Sequence, residues 1–255
     1  MESLEEKDEP KKRKKSFIEE ASSDIFNLDR GLPSTILNLI RSPYKVIDSH
    51  FEGKDQFVPP FRYCIFVLTV VTFISVQFID YEKLMTNSME IGSGEGIEET
   101  AENLSKVIPS FDWAGYFQAL NEISVQVLQK FVSLVYIILM APIMAFASKL
   151  FFKKKKEKFI NHYIMMIYLL TTYSIFSLLL IPVFLSVDSN GLGLVFLSSI
   201  LPLFVFLLWG MTSYLKLKGF SDYFKGILAL TLGYITYSIT SGVLLYVSAF
   251  VKVSL

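Results

Sequence analysis

The chain has 255 residues, of which 52% are hydrophobic and 15% aromatic, and its formal net charge is zero. This apolar content exceeds the roughly 45–50% of average domains, and the charged residues leave long windows with none. A single cysteine, Cys64, excludes a disulfide framework within the chain and a cysteine-based zinc site.

Five apolar runs have the length that a bilayer requires. A hydrocarbon core about 30 Å thick needs roughly 20 helical residues, and each run carries only neutral residues through its middle. Backbone groups in lipid must be paired within the chain, so the runs are expected to be helices. The sequence therefore predicts an all-α membrane protein with five transmembrane helices, at about 61–80, 127–152, 161–187, 192–215 and 226–251.

Residues 1–30 are rich in both charge signs and include the basic run KKRKK at Lys11–Lys15. Such a run is also compatible with a nuclear import signal or a nucleic-acid patch. Acidic neighbours and the five apolar runs that follow favour a disordered, charged cytoplasmic tail. Nucleic acid is therefore not an expected partner.

Residues 31–60 are predicted to form an amphipathic segment in the cytoplasmic interface. Ser34–His50 has apolar residues at helical spacings, interrupted by Pro43, which predicts a short, broken helix. Pro59 and Pro60 then turn the chain into the first span, where Arg62 is placed to reach the lipid phosphates. A solvent-exposed linker without membrane contact is the alternative.

Basic residues near the helix ends set the expected orientation. With a cytoplasmic N-terminus, residues 1–62 and the turns Lys149–Lys158 and Lys216–Lys225 hold 20 of the 24 Lys and Arg residues. The loop over 81–126 is acidic and is expected outside. The sequence thus predicts an N-in, C-out, multi-pass protein of the cytoplasmic (inner) membrane.

Few residues suggest a chemical site. His50, Arg62, Tyr63 and His162 are expected near the cytoplasmic face and are the candidate binding residues. Two distant histidines without clustered carboxylates are a weak metal signal, and a hydrogen-bonded interfacial imidazole is the plainer interpretation of His162. No metal, cofactor or catalytic residue is predicted.

No ionisable residue falls near the middle of a span, which argues against proton-coupled pumps, ion-driven carriers and intramembrane proteases. Pro142, Pro182 and Pro202 free carbonyls within their helices, so a bundle with a central cavity is the alternative to plain packing. Lys153, Lys154, Lys155 and Lys156 are predicted to face anionic lipid headgroups or only to hold their turn in the cytoplasm.

Three sequence blocks resemble a bacterial family of polytopic membrane proteins, itself a domain of unknown function. The blocks are LNLIRSPYKVIDSHFEGKDQFVPPFRYCIF, KFINHYIMMIYLLTTYSIF and SYLKLKGFSDYFKGILALTLGY. The matching positions include Pro43, Gly53, Lys54, Pro60, Phe61, Arg62, Tyr63 and His162. The resemblance covers about residues 32–240 and implies the topology but no activity.

Many members of that family begin with a cysteine-based zinc ribbon, which this chain lacks. The five-span topology also resembles the Yip-type membrane-trafficking fold by analogy. The expected function is a non-enzymatic binding or scaffold subunit of an envelope complex. Its partners would be the bilayer, a membrane or cytoplasmic protein, or a second copy of the chain. A transporter or lipid-handling protein, and then an enzyme acting on a lipid headgroup, are the alternatives.

Overall fold

The computed structural model describes residues 31–54, 56–81, 97–131, 134–153, 158–186 and 192–254. Within these ranges the chain is helical and contains no strand. The charged tail over 1–30 and the lysines Lys154, Lys155 and Lys156 lie outside the described residues. Residues 82–96 of the acidic loop also lie outside the described residues.

Two short helices precede the first long one. Helix α1 covers residues 31–41 and helix α2 covers Pro43–Phe51, with the break at Ser42 directly before Pro43. Gly53 has a φ of 67° and follows the end of α2, where a residue without Cβ adopts this conformation at little cost. Helix α3, Pro60–Phe78, then begins on the proline pair.

One side of α1 and α2 is buried in the protein. Leu39, Val46 and Ile47 are fully buried, whereas Leu37 and Tyr44 remain substantially exposed. Helix α2 packs on two later helices of the bundle. The amphipathic pattern of Ser34–His50 correctly indicates helix. The buried side of α2 lies against other helices of the protein.

The second predicted span is bent. Helix α4 covers Ile97–Val107, and α5 covers Trp113–Gln126 and continues as a π-helical turn through Phe131. A second π-helical stretch, Val135–Met140, leads into α6, Ala141–Phe151. The segments Trp113–Phe131 and Val135–Phe151 are inclined at 93° to each other. The predicted span over 127–152 thus falls on both segments of a bent pair, which their length and composition allow as one broken span.

Helix α7, Phe159–Ser177, is the centre of the bundle and contacts α3, α6, α9 and α2. It is followed by a 3-10 turn, Leu178–Leu180, and by α8, Ile181–Ser186. Two thirds (67%) of the most apolar window of Phe159–Val183 is buried inside the protein. A helix that is apolar all round takes this central position because every face has a neighbour.

The last two helices are α9, Leu192–Leu215, and α10, Phe220–Ser254. Helix α10 begins six residues before the predicted span and packs along α6 and, at its far end, on α5. Only 17% of its most apolar window is buried by protein. Such an exposed apolar surface is expected of a helix whose remaining neighbour is lipid.

Among the residues that the structure describes, length and composition single out three helices able to cross a bilayer: Pro60–Phe78, Phe159–Val183 and Phe220–Ser254. The bent pair Trp113–Phe131 and Val135–Phe151 makes a fourth if it counts as one span. Ile200–Leu215 is apolar but shorter.

Candidate functional site

Residues 31–58, called the pre-span segment here, are held against the bundle by hydrogen bonds to the backbone of Val58. The Val58 N–H donates to Thr35 Oγ1 at 3.0 Å, and Tyr168 Oη on α7 donates to the Val58 carbonyl at 2.8 Å. Pro59 and Pro60 follow directly and have no N–H to offer. Side chains from α1 and α7 therefore satisfy both polar groups of the last residue before the proline pair.

The same anchor continues into α3. Tyr63 is fully buried, and its hydroxyl lies 2.9 Å from Thr172 Oγ1 on α7. The rings of Tyr63 and Tyr168 are 5.7 Å apart, and Thr172 Oγ1 donates to the Tyr168 carbonyl. Tyr63, predicted as a binding residue, is therefore part of the helix packing and is not presented to a partner.

His162 is fully buried within the protein and lies in the first turn of α7. Its Nδ1 lies 2.8 Å from the hydroxyl oxygen of Ser148, which is 1% exposed. The bond joins α6 to α7 near the turn that connects them. A hydrogen-bonded histidine was expected at this position, but its partner and its depth in the bundle were not.

Ser148 and His162 have the separation of a nucleophile and its general base. This pair was not predicted from the sequence. Ser148 is 1% exposed and His162 is fully buried, so neither side chain is open to solvent. The arrangement fits a buried hydrogen bond that fixes the α6–α7 hairpin.

His50 is exposed and lies away from His162. Its ring contacts Phe51 edge-on at 5.3 Å, and with Tyr168 it lines a small recess of about 40 Å³. Partial burial lowers the pKa of the His50 imidazole. Tyr168, which lines the recess with His50, is six residues from His162 on α7, about 240° around the helix. His50 and His162 therefore lie at different faces of α7.

Arg62 is exposed at the start of α3 and follows Phe61, whose ring is also exposed. Arg41, Lys45 and Lys54 are exposed on the pre-span segment, as are Tyr44 and Phe51. This exposed surface of the pre-span segment, together with Phe61 and Arg62, is called the basic–aromatic face below. Of the predicted binding residues, the structure brings His50 and Arg62 to it and withdraws Tyr63 and His162.

The other predicted features are placed as follows. Cys64, the single cysteine of the chain, is buried. Lys153 is exposed at the end of α6. Over the described ranges, no group of three or more metal-ligating side chains comes together.

A polar cleft that sequence analysis missed lies between α3 and the π-helical turn after α5. It has a volume of about 290 Å³ and is lined by Thr69, Thr72, Phe73, Val76, Gln77, Gln129 and Lys130. Four of these lie at positions i, i+3, i+4 and i+7 of α3, which is one helix face. This spacing was the sequence pattern that could have indicated the cleft. It lies within an apolar run, which was interpreted only as a membrane span.

The fold and these contacts define the class: an all-α protein with several helices long and apolar enough to span a membrane. Comparison with known families, curated proteins and solved structures finds no match to this chain.

Proposed function

We propose that the chain is a non-enzymatic integral membrane protein, a binding or scaffold subunit of an envelope complex. It crosses the cytoplasmic (inner) membrane five times, with its N-terminus in the cytoplasm and its C-terminus outside. In this topology the basic–aromatic face is cytoplasmic and is the contact surface for a membrane or cytoplasmic protein. The proposal keeps the bacterial type that the sequence resemblance implies.

The proposal depends mainly on the double fastening of Val58, by which we mean the two hydrogen bonds to its backbone N–H and carbonyl. Thr35 and Tyr168 hold both of its backbone groups, and Leu39, Val46 and Ile47 are buried behind it. The pre-span segment is thus folded onto the bundle before any partner arrives. A preformed surface binds with a smaller loss of conformational entropy than a flexible one.

The composition of the exposed side also favours a partner. Tyr44, Phe51 and Phe61 are each about 40% exposed, and Arg41 and Lys45 are exposed on the pre-span segment. Aromatic residues and arginine are the side chains enriched in the cores of protein interfaces. A partner with acidic side chains around an apolar centre is complementary to this face.

The experiment compares variants in native membranes by quantitative co-purification. Arg41→Glu with Lys45→Glu reverses charge on the basic–aromatic face, and Arg62→Ala removes the cation at the start of α3. Lys106→Glu on α4 is the matched control, because Lys106 is exposed but distant from this face in the predicted topology. The proposal expects one defined protein to be lost with the first two variants and retained with the control.

The topology has its own test. Reporter tags are expected to place the N-terminus in the cytoplasm and the C-terminus outside. Both termini on one side would contradict five spans. Equal recovery of every partner from all variants would contradict the scaffold role without touching the topology.

The polar cleft beside α3 favours a second candidate, a lipid-handling protein. Gln77, Gln129 and Lys130 line a cleft of about 290 Å³. The cleft lies at the surface of α3, which is an apolar helix. Transfer of labelled lipid between leaflets of proteoliposomes tests this candidate. A rate equal to that of protein-free vesicles would contradict it.

A further inference from the structure

The cleft between α3 and the π-helical turn Val127–Phe131 has a polar and an apolar side. Thr72 and Gln77 on α3 face Gln129 and Lys130 across it, and Phe73 and Val76 form the apolar wall. The stretch from Thr69 to Gln77 rises about 12 Å and ends one residue before α3 itself ends. The cleft therefore extends from near the middle of α3 to the helix end remote from the pre-span segment.

The polar groups in the cleft favour an anion. Lys130 supplies an ammonium group, and Gln77, Gln129 and Thr72 supply further N–H and O–H donors. The Thr69 hydroxyl already donates to the Ile65 carbonyl, so it is occupied within α3. No carboxylate is among the residues that line the cleft.

The apolar surroundings of these hydrogen-bond donors indicate which kind of anion they would bind. Phe73 is 68% exposed and lies on the same face of α3 as Gln77, so the surface around the cleft is suited to hydrocarbon. An ammonium group at a lipid-facing position is costly unless an anion or the interface accompanies it. The phosphate of a phospholipid is an anion that every bilayer supplies, and the acyl chains attached to it fit an apolar wall.

We propose that this cleft binds an anionic phospholipid from the leaflet at the C-terminal end of α3. Lys130 and the amides of Gln77 and Gln129 hold the phosphate, and an acyl chain runs along Phe73 and Val76. The inference goes beyond the scaffold role and rests on the second candidate function, to which it gives a ligand class. Binding and transfer are measured separately, so either can fail alone.

The test counts lipids bound to the full chain purified in detergent, by native mass spectrometry with titration. The probes are phosphatidylglycerol, diacylglycerol with the same acyl chains, and inorganic phosphate. Phosphatidylglycerol is expected to bind at one site with a clear preference over diacylglycerol, while inorganic phosphate alone binds much more weakly.

Variants locate the site. Lys130→Gln is expected to weaken phosphatidylglycerol binding roughly tenfold, the effect of losing one charge-assisted contact. Lys130→Arg keeps the charge and is expected to retain binding, whereas Gln77→Leu on the opposite wall weakens it by a smaller factor. Lys106→Gln is the matched control, since its ammonium contacts Asn103 on α4 and does not line the cleft.

Three results would overturn the inference. Lys130→Gln and Gln77→Leu could bind phosphatidylglycerol as tightly as the unmodified chain. Diacylglycerol could bind equally well, which would leave the phosphate without a role. Inorganic phosphate could bind as tightly as the lipid, which would make the ligand a soluble anion. If lipid transfer persists while binding at Lys130 is absent, the inference fails and the second candidate function stands.

Discussion

The hydroxyl of Tyr163 on α7 donates a 2.7 Å hydrogen bond to the main-chain carbonyl of Ile137, in the π-helical stretch before α6. In that stretch the N–H of Ala141 bonds to the carbonyl of Tyr136, five residues back. The next donor in the same pattern would be residue 142, which is proline and has no N–H. Tyr163 therefore supplies, from a neighbouring helix, the hydrogen bond that Pro142 removes.

Substitution of Tyr163 by phenylalanine should destabilise the bundle through this carbonyl alone. The ring would keep its stacking on Phe159, whose centroid is 6.1 Å away. The expected loss is about 0.6–2 kcal/mol, the range for one hydrogen bond in a membrane protein or a partly buried site. Unfolding in detergent micelles measures it. Tyr246→Phe, at a tyrosine that is 55% exposed, should change little, and equal losses for both would contradict the assignment.

Ser148→Ala should cost more than removal of another buried serine. It leaves the fully buried His162 without its 2.8 Å partner at Nδ1, a loss of about 1–3 kcal/mol. Ser124 is the control, because it is also buried but its hydroxyl bonds only to the Leu120 carbonyl of its own helix. Unfolding of the two alanine variants under the same conditions gives the difference.

A second measurement separates packing from catalysis at Ser148. Because Ser148 is only 1% exposed, the folded chain should not react with a fluorophosphonate probe. Labelling of the unmodified chain that disappears in the Ser148→Ala variant would instead identify an accessible nucleophile, and the non-enzymatic function would then be wrong.

The helices were predictable from sequence because apolar content averaged over about 20 residues is a strong local signal. Contacts between helices carry no such signal. Tyr168 and Val58, for example, meet across 110 positions. The Ser148–His162 pair is an exception in principle, since the two residues flank the sequence-predicted turn Lys149–Lys158 and lie at similar distances from its lysine run in the sequence. Two antiparallel helices place such positions side by side, so the hairpin could have predicted the pair.

The bend between α5 and α6 was not predictable in the same way. Its two segments are both apolar, and Pro142 lies well after the point where they diverge. The hydropathy of the run 127–152 is the same for a straight and a bent helix. Packing of α5 on the far end of α10 decides between them, and that packing includes the stacked rings of Phe111 and Phe250 beside α5.

Thr35→Val should loosen the pre-span segment at one identifiable amide. The substitution removes the oxygen that accepts the Val58 N–H at 3.0 Å, so exchange of this amide should become roughly tenfold faster for a loss near 1.4 kcal/mol. Pro59 and Pro60 have no amide hydrogen, which simplifies the hydrogen-exchange measurement of the peptide that contains Val58.

Thr69→Val is the control for this prediction, because the Thr69 hydroxyl bonds only within α3, to Ile65. It should leave exchange at Val58 unchanged. Unchanged exchange at Val58 in the Thr35→Val variant as well would show that the double fastening does not hold the segment, and the scaffold proposal would lose its main support.

His50 should make stability depend on pH in the mildly acidic range. Burial lowers its pKa in the folded chain below the usual 6.5, so the unfolded chain takes up the proton first. Stability is then complete above about pH 6.5 and falls as the pH drops through that value. Unfolding midpoints between pH 8 and 5 measure the slope, and the His50→Asn variant should show less of it. An identical slope in the variant would assign the effect to other groups.

Two glycines of α10 should respond to alanine in opposite directions. At Gly233 a Cβ would lie 2.7 Å from Met144 Sδ and 3.3 Å from Met144 Cα on α6. The backbone atom cannot yield as a side-chain end can, so Gly233→Ala should destabilise by about 1–3 kcal/mol. At Gly242 the nearest atom is 4.0 Å away, so Gly242→Ala should keep the helix-propensity gain of up to about 1 kcal/mol. Unfolding of both variants in one detergent compares them directly. A shift of the same sign and size at both positions would mean that α10 does not approach α6 through Gly233.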